Sequence, residues 1–85
     1  MGEVIVTFKV MPTGSDVDMD KLEANIKGKI RADRISREPI AFGLIALKVI
    51  TIIQDAEGEL EKVESALRSI EDVNGVEVTN LTKTL

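Results

Sequence analysis

The chain has 85 residues, 44% hydrophobic and 31% charged, with a formal net charge of −4, a composition that suits one small folded core and carries too much charge for a membrane protein. It contains no cysteine and no histidine, which removes disulfides, thiol nucleophiles, the commonest general base and the commonest zinc ligand. The expectation is a single domain over residues 1–85 that is not an enzyme, needs no cofactor or metal, and touches no membrane.

The N-terminal Met1-Gly2-Glu3 passes straight into a strand-like alternation, with no basic segment and apolar stretch of a secretory signal, so a cytoplasmic address is expected. From Glu3 to Met11, Val4, Val6, Phe8 and Val10 fall on one face and Ile5, Thr7, Lys9 and Met11 on the other. Apolar residues on both faces predict a central strand. Pro12-Thr13-Gly14-Ser15 stops it, and Ser15, Asp16 or Asp18 can each cap a following helix.

A helix is expected from near Asp18, with Met19, Leu22, Ile26 and Ile30 forming its apolar stripe. Gly28 interrupts the pattern at a cost of roughly 1 kcal/mol relative to alanine, so either the helix ends early or a neighbour approaches closely there. Arg34 to Glu38, ending at Pro39, suits a short edge strand whose charges discourage pairing with other molecules. Gly43 closes a loop, and Leu44 to Gln54 is the strongest central-strand segment, long, β-branched and apolar on both faces.

Gly58 with Glu57, Glu59 and Glu61 marks the positive end of a second helix, whose stripe is Leu60, Val63, Leu67 and Ile70. Asn74-Gly75 is expected to end it in the left-handed conformation. Val76, Val78 and Asn80 then alternate with Glu77, Thr79 and Leu81 in a last strand, followed by the tail Leu81 to Leu85. The order βαββαβ predicts an α+β, ferredoxin-like sandwich: a four-stranded antiparallel sheet, first and third strands central, with two helices on one face.

Many functions use this fold, so each must be tested on residues. An RNA-recognition domain needs stacking aromatics on the central strands, where only Phe8 lies, and a metal chaperone needs a cysteine pair that is absent. Basic residues crowd the first half and acidic ones the second, while the net charge argues against direct nucleic-acid contact. The loop Pro12 to Asp16, with Gly14, also fits a small-ligand regulatory module, the alternative from another class. Phe42, between Pro39 and Gly43, is either an exposed docking anchor or a side chain folded under the sheet end.

Three segments together resemble the C-terminal exchange domain of translation elongation factor 1-beta, in the short single-domain form typical of archaea. They are Val17 to Glu23, Pro39 to Leu44 with Leu47-Lys48, and Val76 to Lys83. The resemblance implies a guanine-nucleotide exchange factor that binds the GTPase elongation factor 1-alpha and releases its GDP. It implies that Phe42, with Ile40 and Ala41 beside it, packs on the partner, that Lys83 reaches the magnesium and phosphate region, and that Asp16 belongs to a polar loop facing the partner. Thr84 and Leu85 follow Lys83, where eukaryotic relatives commonly end one residue after the lysine. The free chain is expected to be a monomer, and one shared interface requires Phe42 and Lys83 at the same end of the domain.

Overall fold

The computed structural model describes residues 2–83; Met1 and the expected tail residues Thr84 and Leu85 lie outside the described residues. Its elements are β1 (Glu3–Pro12), α1 (Met19–Lys29), β2 (Arg34–Pro39), a short 3-10 turn (Ala41–Gly43), β3 (Ile45–Gln54), α2 (Glu59–Arg68) and β4 (Val73–Lys83). The sheet is antiparallel in the order β2-β3-β1-β4, so β1 and β3 are central and β2 and β4 form the edges, as the apolar patterning predicts.

Val4, Val6, Phe8 and Val10 of β1, Leu47 and Val49 of β3 and Val76 of β4 meet Leu22 and Ile26 of α1 and Leu67 and Ile70 on the α2 side in one core. Both helices therefore turn an apolar stripe to the same face of the sheet, although the last residue expected in each, Ile30 and Ile70, packs beyond the helix end. Phe8, Ile26, Leu47 and Leu67 are the largest side chains fully withdrawn from solvent. The opposite face carries Ile5, Thr7, Lys9 and Met11 of β1 beside Lys48, Ile50 and Ile52 of β3, and no element covers it among the described residues.

Asp18 caps α1: its carboxylate accepts a hydrogen bond from the Lys21 N–H at 3.2 Å. Gly28 is the last residue but one of α1, which ends at Lys29 with Ile30 already extended at the C-cap, and nothing lies within 4 Å of where its Cβ would stand, so of the two readings the early end holds and the close neighbour does not. Arg37, on the helix-facing side of β2, donates to Glu23 at 2.7 Å and to Asp20, tying α1 to the edge strand. The Glu23 bond first, then that of Asp20, raises the Arg37 guanidinium above its already high range.

Two expectations about the end of the chain are overturned. α2 stops at Arg68, the left-handed residue is Asp72 (φ 74°), and Asn74-Gly75 lies within β4, where the register slips between Met11 and Pro12. Ile70 is 5% exposed and packs in the core after the helix has ended, which explains why the apolar spacing runs past the real terminus. A second slip pairs Thr7 with Asn80 and Phe8 with Val78, leaving Thr79 as an extra residue. That bulge puts Leu81, opposite Val6, on the face of Val76 and Val78, while Asn80 turns to the uncovered face. The simple alternation of Val76, Val78 and Asn80 fails at this point.

Candidate functional site

The hairpin connection between β2 and β3 is fixed by backbone bonds: the Ile40 N–H donates to the Leu44 carbonyl at 2.8 Å and the Leu44 N–H to the Ala41 carbonyl at 3.3 Å. At its tip Phe42 (φ 63°, ψ 28°) and Gly43 (φ 73°) both adopt the left-handed conformation. Glycine accepts that geometry freely, whereas a phenylalanine there carries strain of order 1 kcal/mol. Phe42 is nevertheless 96% exposed. Of the two readings of this residue, folding under the sheet end is therefore ruled out, and the loop presents an aromatic ring to solvent on a closed backbone. Ala41 is exposed and Ile40 half-buried beside it.

Asp16 is exposed in the loop that follows β1, and its carboxylate folds back toward Gly14, where an added Cβ would meet Oδ1 at 2.9 Å. This loop leaves the sheet at Pro12, and the Phe42 loop leaves it at Pro39 and Ile45, so both emerge at the same sheet end. A cleft of about 240 Å³ between the helices and the sheet is lined by Lys29, Arg31, Thr51, Ile53 and Lys62, another of about 350 Å³ between α1 and the segment after α2 by Asn25, Gly28 and Ser69, and Gly14 lines neither.

Lys83 stands at the other end. It pairs with Val4, which pairs with Ile53, whereas the Phe42 loop springs from Pro39 opposite Ile45. The run of β3 from Ile45 to Ile53 separates the two levels by about 26 Å at strand rise, in a domain whose longest extent is 41 Å. A shared interface at one end of the domain is thus overturned: Phe42, Ile40, Ala41 and Asp16 group together, and Lys83 does not join them.

The Lys83 ammonium lies 3.4 Å from the Asp55 carboxylate, with 68% and 43% of the two side chains exposed. Asp55 is set by its own N–H, which donates to the Gly2 carbonyl at 2.9 Å where β3 ends beside the start of β1. No reading of the sequence singled out Asp55; the only available signal was that the third strand and the tail must meet at one sheet end. The terminal bulge matters here as well, because Thr79 fixes which face Lys83 occupies, and its hydroxyl donates to the Thr7 carbonyl at 3.3 Å.

A family model described as the EF-1 guanine nucleotide exchange domain matches residues 5–84. The chain is 46% identical over 84 residues to the elongation factor 1-beta of Methanobrevibacter smithii, covering 94% of each protein. It is 45% identical over 85 residues to that of Methanothermobacter thermautotrophicus, covering 95% of this chain and 96% of the relative. It is 38% identical over 85 residues to that of Thermoplasma acidophilum, covering 95% and 97%.

Proposed function

This chain belongs to the EF-1 guanine nucleotide exchange domain family and is a guanine-nucleotide exchange factor for elongation factor 1-alpha, and we propose that it works by contacting two separate regions of that GTPase at once. Phe42, supported by Ile40, Ala41 and Asp16, anchors one region; Lys83 enters the magnesium and phosphate region of the other. The single observation that carries this reading is the solvent exposure of Phe42 on a strained, internally bonded loop. An aromatic held in this way buries much area on docking and has little freedom left to lose.

The exchange step follows from elementary electrostatics. GDP and its magnesium ion hold one another through phosphate oxygens, and the ion is held in turn by oxygens of the GTPase. An ammonium delivered among those oxygens competes with the cation and weakens metal and nucleotide together. Lys83 leaves Asp55 to do so, exchanging one carboxylate partner for other anionic oxygens. By linkage, GDP with magnesium weakens the factor's hold as strongly as the factor weakens theirs, and returning GTP with magnesium displaces it by the same competition.

No covalent bond is made or broken in this process, so the domain acts as a binding device and not as an enzyme. It works as a cytoplasmic monomer with no direct contact to nucleic acid. The decisive measurement is the release of fluorescent GDP from purified elongation factor 1-alpha with and without this chain. Acceleration at micromolar concentration supports the reading, and an unchanged rate rejects it.

A further inference from the structure

The connection from α1 to β2 is clamped to β3 by three hydrogen bonds. The Thr51 hydroxyl donates to the Arg31 carbonyl at 2.5 Å, the Asp33 N–H donates to the Ile50 carbonyl at 2.9 Å, and the Asp33 carboxylate accepts from the Ile52 N–H at 2.9 Å. Thr51 is 2% exposed, so the first of these bonds is sheltered from water. Residues 30–31 of this clamped connection form one wall of the cleft of about 240 Å³ between the helices and the sheet. Ile30, Ile53 and Val63, which pack against the core, give that cleft an apolar floor.

Three cations meet at this floor from three places in the chain: Lys29 from the end of α1, Arg31 from the clamped connection and Lys62 from near the start of α2. No acidic residue lines the cleft among the described residues, although acids outnumber bases in the chain by 15 to 11. Asp33, the acid nearest Arg31 in sequence, directs its carboxylate to the β3 backbone, and none of the three cations makes an ion pair among the described residues. The other cleft has no such imbalance, because Glu71 accompanies Lys29 there. Like charges gathered over an apolar floor without a counter-ion repel one another and attract an anion.

We propose that this cleft is a binding site for a small organic anion, a phosphate or carboxylate head on a short apolar body, with the head among Lys29, Arg31 and Lys62 and the body on Ile30, Ile53 and Val63. The Arg31 guanidinium offers a planar fork of donors that matches either head group with two parallel bonds. The clamp fixes the backbone that carries Arg31 before any ligand arrives, which lowers the ordering cost of binding. A volume of about 240 Å³ lies below the ~300 to 1,000 Å³ usual for drug-sized ligands, so a nucleotide is too large to be enclosed and a body of a few carbons fits.

The test titrates the isotope-labelled chain with hexyl phosphate and with hexanoate and follows the amide resonances. Shifts are expected at Arg31, Thr51, Ile53 and Val63 with a Kd of about 1 mM or tighter, and the tighter of the two ligands identifies the head group that the site takes. Arg31→Glu and Lys62→Glu are each expected to weaken this binding at least about tenfold, and Lys27→Glu, the same charge change on α1 outside the cleft, less than about threefold. Acetate, which lacks the apolar body, and hexanol, which lacks the charge, are each expected to bind at least about tenfold more weakly. All three substituted side chains are exposed, so the variants are expected to melt within about 4 °C of the wild type. Absence of shifts with both anions at about ten times that Kd, shifts confined to other surfaces, acetate binding as tightly as the longer anions, or an equal loss in Lys27→Glu and the two cleft variants overturns the inference. No GTPase is present in these titrations, so their outcome is independent of the exchange reading.

Discussion

Lys83 and Asp55 face each other at 3.4 Å across the end of the sheet, one at the last turn of the edge strand and the other just beyond the central strand β3. The pair is open to solvent on both sides, so separating it costs only about 0.2 to 1 kcal/mol. Asp55 thus orients the lysine without trapping it.

Lys83→Ala should slow GDP release at least about tenfold while changing affinity for the GTPase much less, as the proposed division of roles requires, with the lysine at the nucleotide site and Phe42 as the anchor. Asp55→Asn frees the ammonium and should speed release by no more than about fivefold, the factor equivalent to the pair's free energy. Stopped-flow release of fluorescent GDP, run beside calorimetric titration, separates rate from affinity. Parallel losses of both in Lys83→Ala discredit this division of roles.

Phe42→Ala should weaken binding by about 2 kcal/mol or more, as expected for a central aromatic anchor. Phe42→Gly should do the same while keeping the stability within about 1 kcal/mol of wild type, since glycine relieves the left-handed strain but gains freedom when unfolded. Thermal melts of the free domain and titration against the GTPase measure the two effects. A large loss of stability in Phe42→Gly contradicts a ring that contributes only to docking.

Phe8 lies fully buried between the central strands and both helices. Phe8→Ala should cost about 3 to 5 kcal/mol, much of the roughly 5 to 15 kcal/mol that holds a small domain folded. Urea denaturation followed by circular dichroism checks this, and a cost below about 1 kcal/mol shows that the core closes around the gap.

Deleting Thr79 takes out the one extra residue, so the bulge disappears while Asn80 stays opposite Thr7, Leu81 opposite Val6 and Lys83 opposite Val4. Lys83 then keeps its face and its place beside Asp55, and release should stay well above the level of Lys83→Ala. Affinity carried by the Phe42 end should persist. Release as slow as that of Lys83→Ala in the deletion variant would show that the bulge itself, and not the face of Lys83, sets the rate.

Much of this architecture can be read from side-chain spacing. Val4, Val6, Phe8 and Val10 at every second position, and Leu22 and Ile26 four apart, specify a strand and a helix that can bury those residues only against each other. Asp18 is recognisable as a cap because its short carboxylate reaches the Lys21 N–H. Asn74-Gly75 misleads because the same pair that ends helices also suits an irregular strand, and nothing local distinguishes the two. Thr79 is an ordinary strand residue, so its bulge is visible only in the pairing with Thr7 and Phe8.

The separation of Phe42 from Lys83 is implicit in the order of the elements. β3 runs from the Phe42 loop toward Asp55, and β4, antiparallel to β1, ends at the level of Asp55. In any βαββαβ sheet of this order the β2–β3 hairpin and the last residue fall at opposite ends. The left-handed backbone of Phe42 has no such signal, because the residue types that favour it are glycine and asparagine.

Between its two ends the domain is spanned by paired central strands, a stiff bar whose length does not change with the partner's state. A GTPase that grips both ends is measured against that bar. Only those of its conformations whose two contact regions stand at the matching distance can be held, and the others are depleted from the population. On the proposed two-ended docking the domain is a ruler: altering the length of β1 and β3 together would change which shape of the GTPase it selects while leaving every contacting side chain in place.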